Sequence, residues 1–465
     1  MNYKNIRDYL HLLLLILSCL GLGYGYYYEL KPLSYNIPIT DYGKFYQANR
    51  CFYTGKQIYS ATIVHQRTKP HLKKLAVSLN PPFFTILTAF LGRLSYHLSF
   101  YTWSLMSLGC GIISLFIISK TLFPNTNLLH HLINLFAFFI YFPTFSCLHY
   151  GQITLFLLLF LTLAWYAARQ KKIQLASILL GIATNIKLFV ALFAVYFFMQ
   201  KQWRALIVFI STIVLCAILA LVCTGPAAYS HYYQALSTIK WFSSSWNVSL
   251  YGFLVRLFGG LAEGNHAVLS APRYVLTSIF SLGSISILML LGLSLRIQTS
   301  IEPISTDLKF SAILIAMLLL SPLGWLYYFP LLLIPGMSLC NAVKHGYRPV
   351  LISSSLLVIL FISSIPLVMF RPINITAEHA HAIFFGSSLF SAALLALLAL
   401  IFFLIKTLGR TKPVLNQLPS HGLCLLALMA SLSPSVVGIV QSVRSMAHNA
   451  AKEIHNYTII HNPCP

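Results

Sequence analysis

Acidic residues are scarce in this sequence. Eight of the 465 residues are Asp or Glu, and charged residues of both signs make up 8% of the chain, while 58% of the residues are hydrophobic. A soluble globule of this length could not cover its surface with so little charge, whereas a lipid bilayer requires no such cover. The composition therefore excludes an ordinary soluble protein and predicts one that crosses a membrane several times.

Paired cysteine motifs are also lacking. The nine cysteines include no CxxC pair, and most of them lie within apolar runs, as small core residues do. We therefore expect no disulfide framework and no metal site. A net charge of +23 would suggest nucleic-acid binding in a soluble chain, but here Lys and Arg fall mostly between apolar runs, where they set membrane topology. Nucleic acid is not expected as a partner.

Long apolar runs separate the polar segments. Runs of about 17 to 25 residues can span a bilayer as helices, which satisfy their own backbone in lipid. The run at residues 173–200 carries Asn185 and Lys187 in its middle, which favours two short helices entering from the cytoplasm over one span. Counting that pair as two, we expect an all-α protein with about twelve membrane segments. The other expected spans are residues 9–29, 98–119, 128–147, 150–168, 204–224, 273–296, 308–323, 325–343, 349–369 and 382–405.

Basic residues around the runs predict the topology. Lys4 and Arg7 precede the first run, which places the amino terminus in the cytoplasm. A cleaved signal peptide is the alternative interpretation of that run, but no small-x-small cleavage site follows it. We therefore expect a multi-pass protein of the cell (inner) membrane. Its membrane domain would cover residues 1–412, with outer loops at 30–97 and 225–272, and residues 413–465 would form a tail in which 422–440 could be a further segment.

The first outer loop carries the candidate catalytic acid, Asp41. Residues 41–53 can form an amphipathic helix with Thr40 as its N-cap and Gly55 as its C-cap. Capping is the ordinary role of an Asp at this position, but Thr40 can cap equally well, which would leave the Asp41 carboxylate available. Such a carboxylate can accept the proton of an attacking hydroxyl, so Asp41 is a candidate general base.

Three cations are candidates for binding a phosphate. Lys44 and Arg50 share the predicted Asp41 helix, whereas most other basic residues of this loop are expected to meet anionic lipid head groups. Lys187 lies far from both ends of its apolar run, where a charge is costly unless it pairs or faces water. Snorkelling to the interface is the ordinary alternative for Lys187, and neutralising the charge of a departing phosphate is the functional one.

Polar and aromatic residues at the expected outer face complete the candidates. Gln152 begins the fourth span, and Asn247 lies in the second outer loop. Residues 321–328 form a tight turn between two spans that could place Trp325 and a tyrosine hydroxyl over a sugar, or be a plain connection. Residues 83–94 are expected to form a short helix in the membrane interface.

The order of several short motifs resembles glycosyltransferase family 87, a group of polytopic enzymes of the GT-C class. The resemblance covers roughly residues 5–345, and the order and spacing of the motifs make it more specific than any one of them. The sequence departs from the family in three places. Asn80 stands where the family has Tyr, Leu188 stands where the family has Pro after the Lys, and Leu326-Tyr327-Tyr328 follow the late Trp, where the family usually has Asp and His. The matching motifs are Asp41 to Ala48, Asn80 to Phe83, Gly151-Gln152, Ile186 to Leu188, Asn247 to Leu250 and Ser321 to Trp325.

The resemblance implies a GT-C fold and an inverting hexosyltransferase at the outer face of the membrane. Its donor would be a polyprenyl-phosphate sugar, with mannose the sugar of characterised relatives, and its acceptor a lipid or glycan. The reaction would be a single displacement without metal or cofactor. In this interpretation Asp41 is the base, the donor phosphate contacts Lys187, Gln152, Arg50 and Lys44, and the sugar or acceptor pocket contains Tyr42, Tyr46, Asn247, Trp325, Tyr327 and Tyr328.

Two other functions are compatible with the same residues. A transporter or flippase of lipid-linked sugars would also require cations and aromatic rings in a membrane cavity, and a degenerate accessory subunit would explain the missing late histidine. The sequence does not predict the sugar, the acceptor, protein partners or the oligomeric state.

Overall fold

The computed structural model describes most of the chain from Asp41 to residue 408. The described residues are 41–59, 63–66, 69–74, 77–126, 128–239, 241–244, 246–259, 273–297, 302–344 and 377–408, together with single positions between 13 and 31. Those single positions are helical, as expected for the first span. The predicted segments at 349–369 and 422–440 lie outside the described residues.

The described chain is mainly helical, as the sequence predicts. Its α-helices are α1 Tyr42–Tyr53, α2 Pro82–Thr88, α3 Tyr96–Leu122, α4 Leu128–Ile140, α5 Phe142–His149, α6 Thr154–Arg169, α7 Ile173–Ile186, α8 Phe193–Met199, α9 Trp203–Thr224, α10 Pro226–Ser237, α11 Leu250–Gly259, α12 Arg273–Arg296, α13 Glu302–Leu320, α14 Leu333–Lys344 and α15 Ala377–Leu408. The 3₁₀ segments are Ala89–Arg93, Leu188–Leu192, Trp241–Ser243 and Leu326–Leu332.

Five of the described helices are long and apolar enough to cross a membrane. They are α3, α9 and the greater parts of α12, α13 and α15. A sixth span results if α4 and α5, which meet at a 63° bend, are taken as one. The expected span at 128–147 is thus broken, because Pro143 in the first turn of α5 has no N–H to donate to the preceding turn. The twelve membrane segments stay a prediction.

The described residues form two compact units. The first contains the described residues up to Leu159 and the segment Leu215–Ser237, and the second contains Phe160–Val214 and the described residues from Thr238 onward. In the second unit α13 packs against α12, α14 and α15. It is the most enclosed of the five long apolar helices, with 83% of its membrane-length window buried, against 11% for α9. Helix α13 is therefore the central helix of the second unit.

A short hairpin adds two strands to the helical first loop. Strands β1, Ile63–Gln66, and β2, Lys69–Lys74, pair antiparallel with Ile63 opposite Lys74 and Val64 opposite Lys73. The sequence pattern does not predict this hairpin, because the segment is short, basic and interrupted by a proline. The β-branched pair Ile63-Val64 is the sequence signal that favours a strand here.

The predicted break near Lys187 is confirmed. Helix α7 ends at Ile186, and Lys187 is extended, with φ −149° and ψ 117°. A 3₁₀ segment and α8 then continue the chain. The apolar run at 173–200 therefore forms short helices on either side of Lys187, as its central polar residues indicated.

Candidate active site

Asp41 lies at the start of helix α1, but its carboxylate does not cap the helix. The structure places Asp41 itself at the N-cap position, where its side chain makes no capping hydrogen bond, and places Thr54 at the C-cap. The predicted caps Thr40 and Gly55 are therefore wrong: α1 begins one residue later than Thr40 would require, and Gly55 follows the cap with a left-handed φ of +67°. The carboxylate is nonetheless available, because the backbone of α1 does not use it.

Both oxygens of the Asp41 carboxylate accept a hydrogen bond from a fixed donor. Lys44 Nζ lies 2.8 Å from Oδ1, and Gln152 Nε2 donates to Oδ2. Gln152 is 3% exposed, whereas the Asp41 side chain is 36% exposed. A carboxylate offers about four lone-pair positions, so two donors leave room for a further proton. The group is therefore oriented by the protein and still reachable.

A tight turn at Tyr150–Gln152 brings Gln152 to Asp41. Gly151 has a φ of +63°, and a Cβ at this position would lie 2.6 Å from the Cβ of Tyr42. The Tyr42 N–H donates to the Tyr150 carbonyl at 3.2 Å, and Trp103 Nε1 donates to the Gly151 carbonyl at 3.0 Å. Only glycine fits this conformation and this close approach. The Gly-Gln motif therefore docks on the first turn of α1.

Tyr42 and Tyr46 anchor α1 through its buried face. Tyr42 is fully buried and stacks on Trp103, with ring centroids 5.6 Å apart and planes at 23°. Its hydroxyl bonds to Ser99, and burial raises the pKa of Tyr42 above its usual range. The hydroxyl of Tyr46 donates to the Leu94 carbonyl at 3.1 Å. Packing therefore accounts for both residues, which the sequence analysis had assigned to a sugar or acceptor pocket.

Lys44 and Arg50 differ in what they contact. Lys44 forms the ion pair with Asp41, and its side chain is 16% exposed. Arg50, about six residues further along α1, is exposed and donates from Nη1 to the Tyr46 hydroxyl at 3.1 Å. Lys44 thus acts on the carboxylate, and Arg50 presents its remaining guanidinium donors at the surface.

In the second unit, Lys187 joins a cluster of aromatic rings. Its Nζ lies 6.0 Å from the centroid of the Tyr328 ring, a cation–π distance. Tyr328 contacts Tyr327 edge-on at 5.0 Å, and Tyr327 stacks on Trp325 at 5.8 Å and 22°. The structure therefore brings together four candidates that come from two distant motifs.

Asn247 clamps the turn that carries those rings. It is fully buried, and its Nδ2 donates to the carbonyls of Phe242 at 3.1 Å and Pro322 at 2.9 Å. Its Oδ1 accepts from the N–H groups of Ser249 at 3.2 Å and Gly324 at 3.0 Å. The amide thus has partners on both its nitrogen and its oxygen. Asn247 was predicted to line the sugar or acceptor pocket, but in the structure its side chain instead holds the turn that carries Trp325.

One buried ion pair in the second unit was missed by the sequence analysis. Asp307 in α13 is 1% exposed and accepts from Arg169 and, at 2.9 Å, from Trp165 Nε1. The scarcity of acids was the available signal, because a carboxylate within an apolar helix requires a partner.

Comparison with known proteins adds one finding. The sequence model of glycosyltransferase family 87 matches residues 79–322, about half of the chain. The matched segment contains Gln152, Lys187 and Asn247 and begins after Asp41. No curated protein matches the chain.

Proposed function

Because this chain belongs to glycosyltransferase family 87 and is a membrane glycosyltransferase, we propose that it transfers a hexose from a polyprenyl-phosphate donor to a lipid or glycan acceptor. Mannose is the first candidate for the sugar. The observation that carries the proposal is the Asp41 carboxylate, which is held by Lys44 and Gln152 and remains about a third exposed.

Asp41 acts as the general base in the proposed reaction. An acceptor hydroxyl attacks the anomeric carbon of the donor, the bond from that carbon to the phosphate oxygen breaks, and the hydroxyl proton passes to Asp41. The configuration at the anomeric carbon inverts. Removing the proton as the new bond forms is worth about 10²- to 10⁴-fold in rate.

Lys44 and Gln152 support Asp41 in this proposal. Their donors fix both carboxylate oxygens, so the base does not have to reorient at the moment of transfer. This assigns Gln152 to the base, whereas the sequence motif alone assigned it to the donor phosphate. Arg50, exposed on the same helix, stays a candidate for contact with that phosphate.

The second unit supplies the other candidates. Lys187 stays our candidate for the donor phosphate, since a cation beside aromatic rings can stabilise the growing negative charge. Trp325 is the proposed sugar-contacting ring, because it is the most open of the three, whereas Tyr327 and Tyr328 are buried and pack next to it. A GT-C fold, which the family resemblance implies, belongs to the same proposal. So do a cytoplasmic amino terminus and an outward-facing site in the cell membrane, which rest on the arrangement of basic residues.

The purified protein in lipid vesicles tests the proposal. It is incubated with polyprenyl-phosphate mannose and membrane lipids, and both sugar transfer and donor movement between leaflets are measured. Transfer that is lost in Asp41→Asn supports the proposal. Movement of the donor without transfer would instead favour the transporter, and neither process in a folded protein would favour the accessory subunit.

A further inference from the structure

Arg256 is a buried cation that the proposed reaction does not use. It lies in helix α11, and only 1% of the residue is exposed. The ion pairs in the described part of the chain, Lys44 with Asp41 and Arg169 with Asp307, do not involve it. A buried charge without a counter-charge is costly, so the free energy of burying this guanidinium requires an explanation.

One end of the Arg256 guanidinium is fixed by the backbone. Its Nη1 donates to the Ser244 carbonyl at 2.9 Å and to the Asn247 carbonyl at 2.7 Å. Both carbonyls belong to the loop that Asn247 clamps against the Ser321–Trp325 turn. The guanidinium plane is therefore held in one orientation beside the loop, and its position is tied to that of the turn.

The opposite edge of the same guanidinium has no partner. Neither Nε nor Nη2 makes a hydrogen bond, and both atoms are shielded from solvent. The Nε–H and Nη2–H groups point in parallel, which is the fork that binds two oxygens of a carboxylate or phosphate. Burial lowers the pKa of Arg256 to about 10, so the group is still a cation at neutral pH.

We propose that Arg256 binds a phosphate of the lipid-linked substrate through its Nε–Nη2 edge. The fixed plane, the positive charge and the two unpartnered parallel donors suit a bidentate oxyanion, which reaches this edge once the side chains that shield it from solvent move aside. The loop position is also suitable, because Asn247 pairs with Trp325 through a backbone bridge and Lys187 lies against Tyr328 further along the same segment. The choice of phosphate over another oxyanion rests on the proposed function.

Binding without turnover tests this site. The full-length protein in detergent is titrated with farnesyl phosphate and, in parallel, with farnesol, which has the same chain but no phosphate. Wild type should prefer farnesyl phosphate, and Arg256→Gln should weaken that binding by about 10- to 100-fold, as expected for loss of a charged bidentate contact, with little effect on farnesol. Arg256→Lys should restore only part of the affinity, because an ammonium has no fork.

The controls separate this proposal from its alternatives. Arg296→Gln removes an exposed guanidinium from the end of α12 and should leave both affinities unchanged. Equal farnesyl phosphate affinity in wild type and a folded Arg256→Gln would overturn the proposal, as would equally effective competition by phosphatidylglycerol, which would assign the site to bulk head groups. Because no sugar is transferred in this titration, a transfer activity that survives Asp41→Asn overturns the proposed base without affecting the result for Arg256.

Discussion

Asp41 and Asp307 make similar ion pairs in very different surroundings. Each accepts from one cation and one neutral donor, but the Asp41 side chain is 36% exposed and Asp307 is 1% exposed. A substrate hydroxyl can reach the first carboxylate and not the second. At the residue scale, exposure therefore separates the candidate base from a structural pair with the same chemistry.

Replacing Gln152 by Leu should slow the transfer step without weakening donor binding. The Gln152 amide orients the Asp41 carboxylate, and a small misplacement of a reacting group can reduce the rate by about 100-fold. Steady-state kinetics would show a lower kcat at a similar donor KM. A raised KM at an unchanged kcat would instead support the phosphate contact assigned from the motif. Gln170→Leu, at an exposed glutamine, is the matched control.

Replacing Arg169 by Met should destabilise the protein by about 3–5 kcal/mol, because it leaves the Asp307 carboxylate buried and unpaired. The double variant Arg169→Met with Asp307→Leu should recover most of that loss. Thermal unfolding in detergent measures both effects, with Lys172→Met at an exposed neighbouring cation as the control. If the double variant is no more stable than Arg169→Met alone, the loss of stability does not come from the unpaired Asp307 carboxylate, and the prediction is wrong.

At the scale of elements, the site depends on a turn meeting the end of a helix. Gly151 allows the Tyr150–Gln152 turn to approach Tyr42, and Trp103 holds the turn from the other side. In the second unit, Asn247 joins a loop to the Ser321–Trp325 turn in the same way. The family motifs thus include residues that position the loops as well as residues that can contact a substrate.

Gly55 and Gly151 both have a left-handed backbone, but only Gly151 is also closely packed against helix α1. Comparing their alanine variants therefore distinguishes the cost of backbone strain from the cost of a steric clash. Gly55 has φ +67° and Gly151 has φ +63°, but a Cβ on Gly55 meets nothing within 4 Å, whereas one on Gly151 meets Tyr42 at 2.6 Å. Gly55→Ala should therefore cost only the backbone strain, about 1–2 kcal/mol. Gly151→Ala should lower the unfolding midpoint further and also reduce transfer. Equal effects of the two variants would contradict the docking of this turn on α1.

At the scale of the whole molecule, the sequence predicts elements better than contacts. The helix at 41–53 and the break at Lys187 follow from local apolar patterns, and the structure confirms both. The contact of Gln152 with Asp41 joins residues 111 positions apart, and no local pattern specifies such a contact. Motif order identified Gln152 and Asn247 as candidates, but their hydrogen-bond partners are set by packing, so their roles could not be predicted.

The proposed transfer mechanism depends on Asp41 as the base. The most direct measurement is the single-turnover rate of sugar transfer for wild type and for Asp41→Asn, with donor binding measured on the same samples. Asparagine keeps the size of the side chain and removes its basic oxygen, so we expect a rate lower by about 10²- to 10⁴-fold with donor affinity retained. Transfer by Asp41→Asn at the wild-type rate would contradict the account.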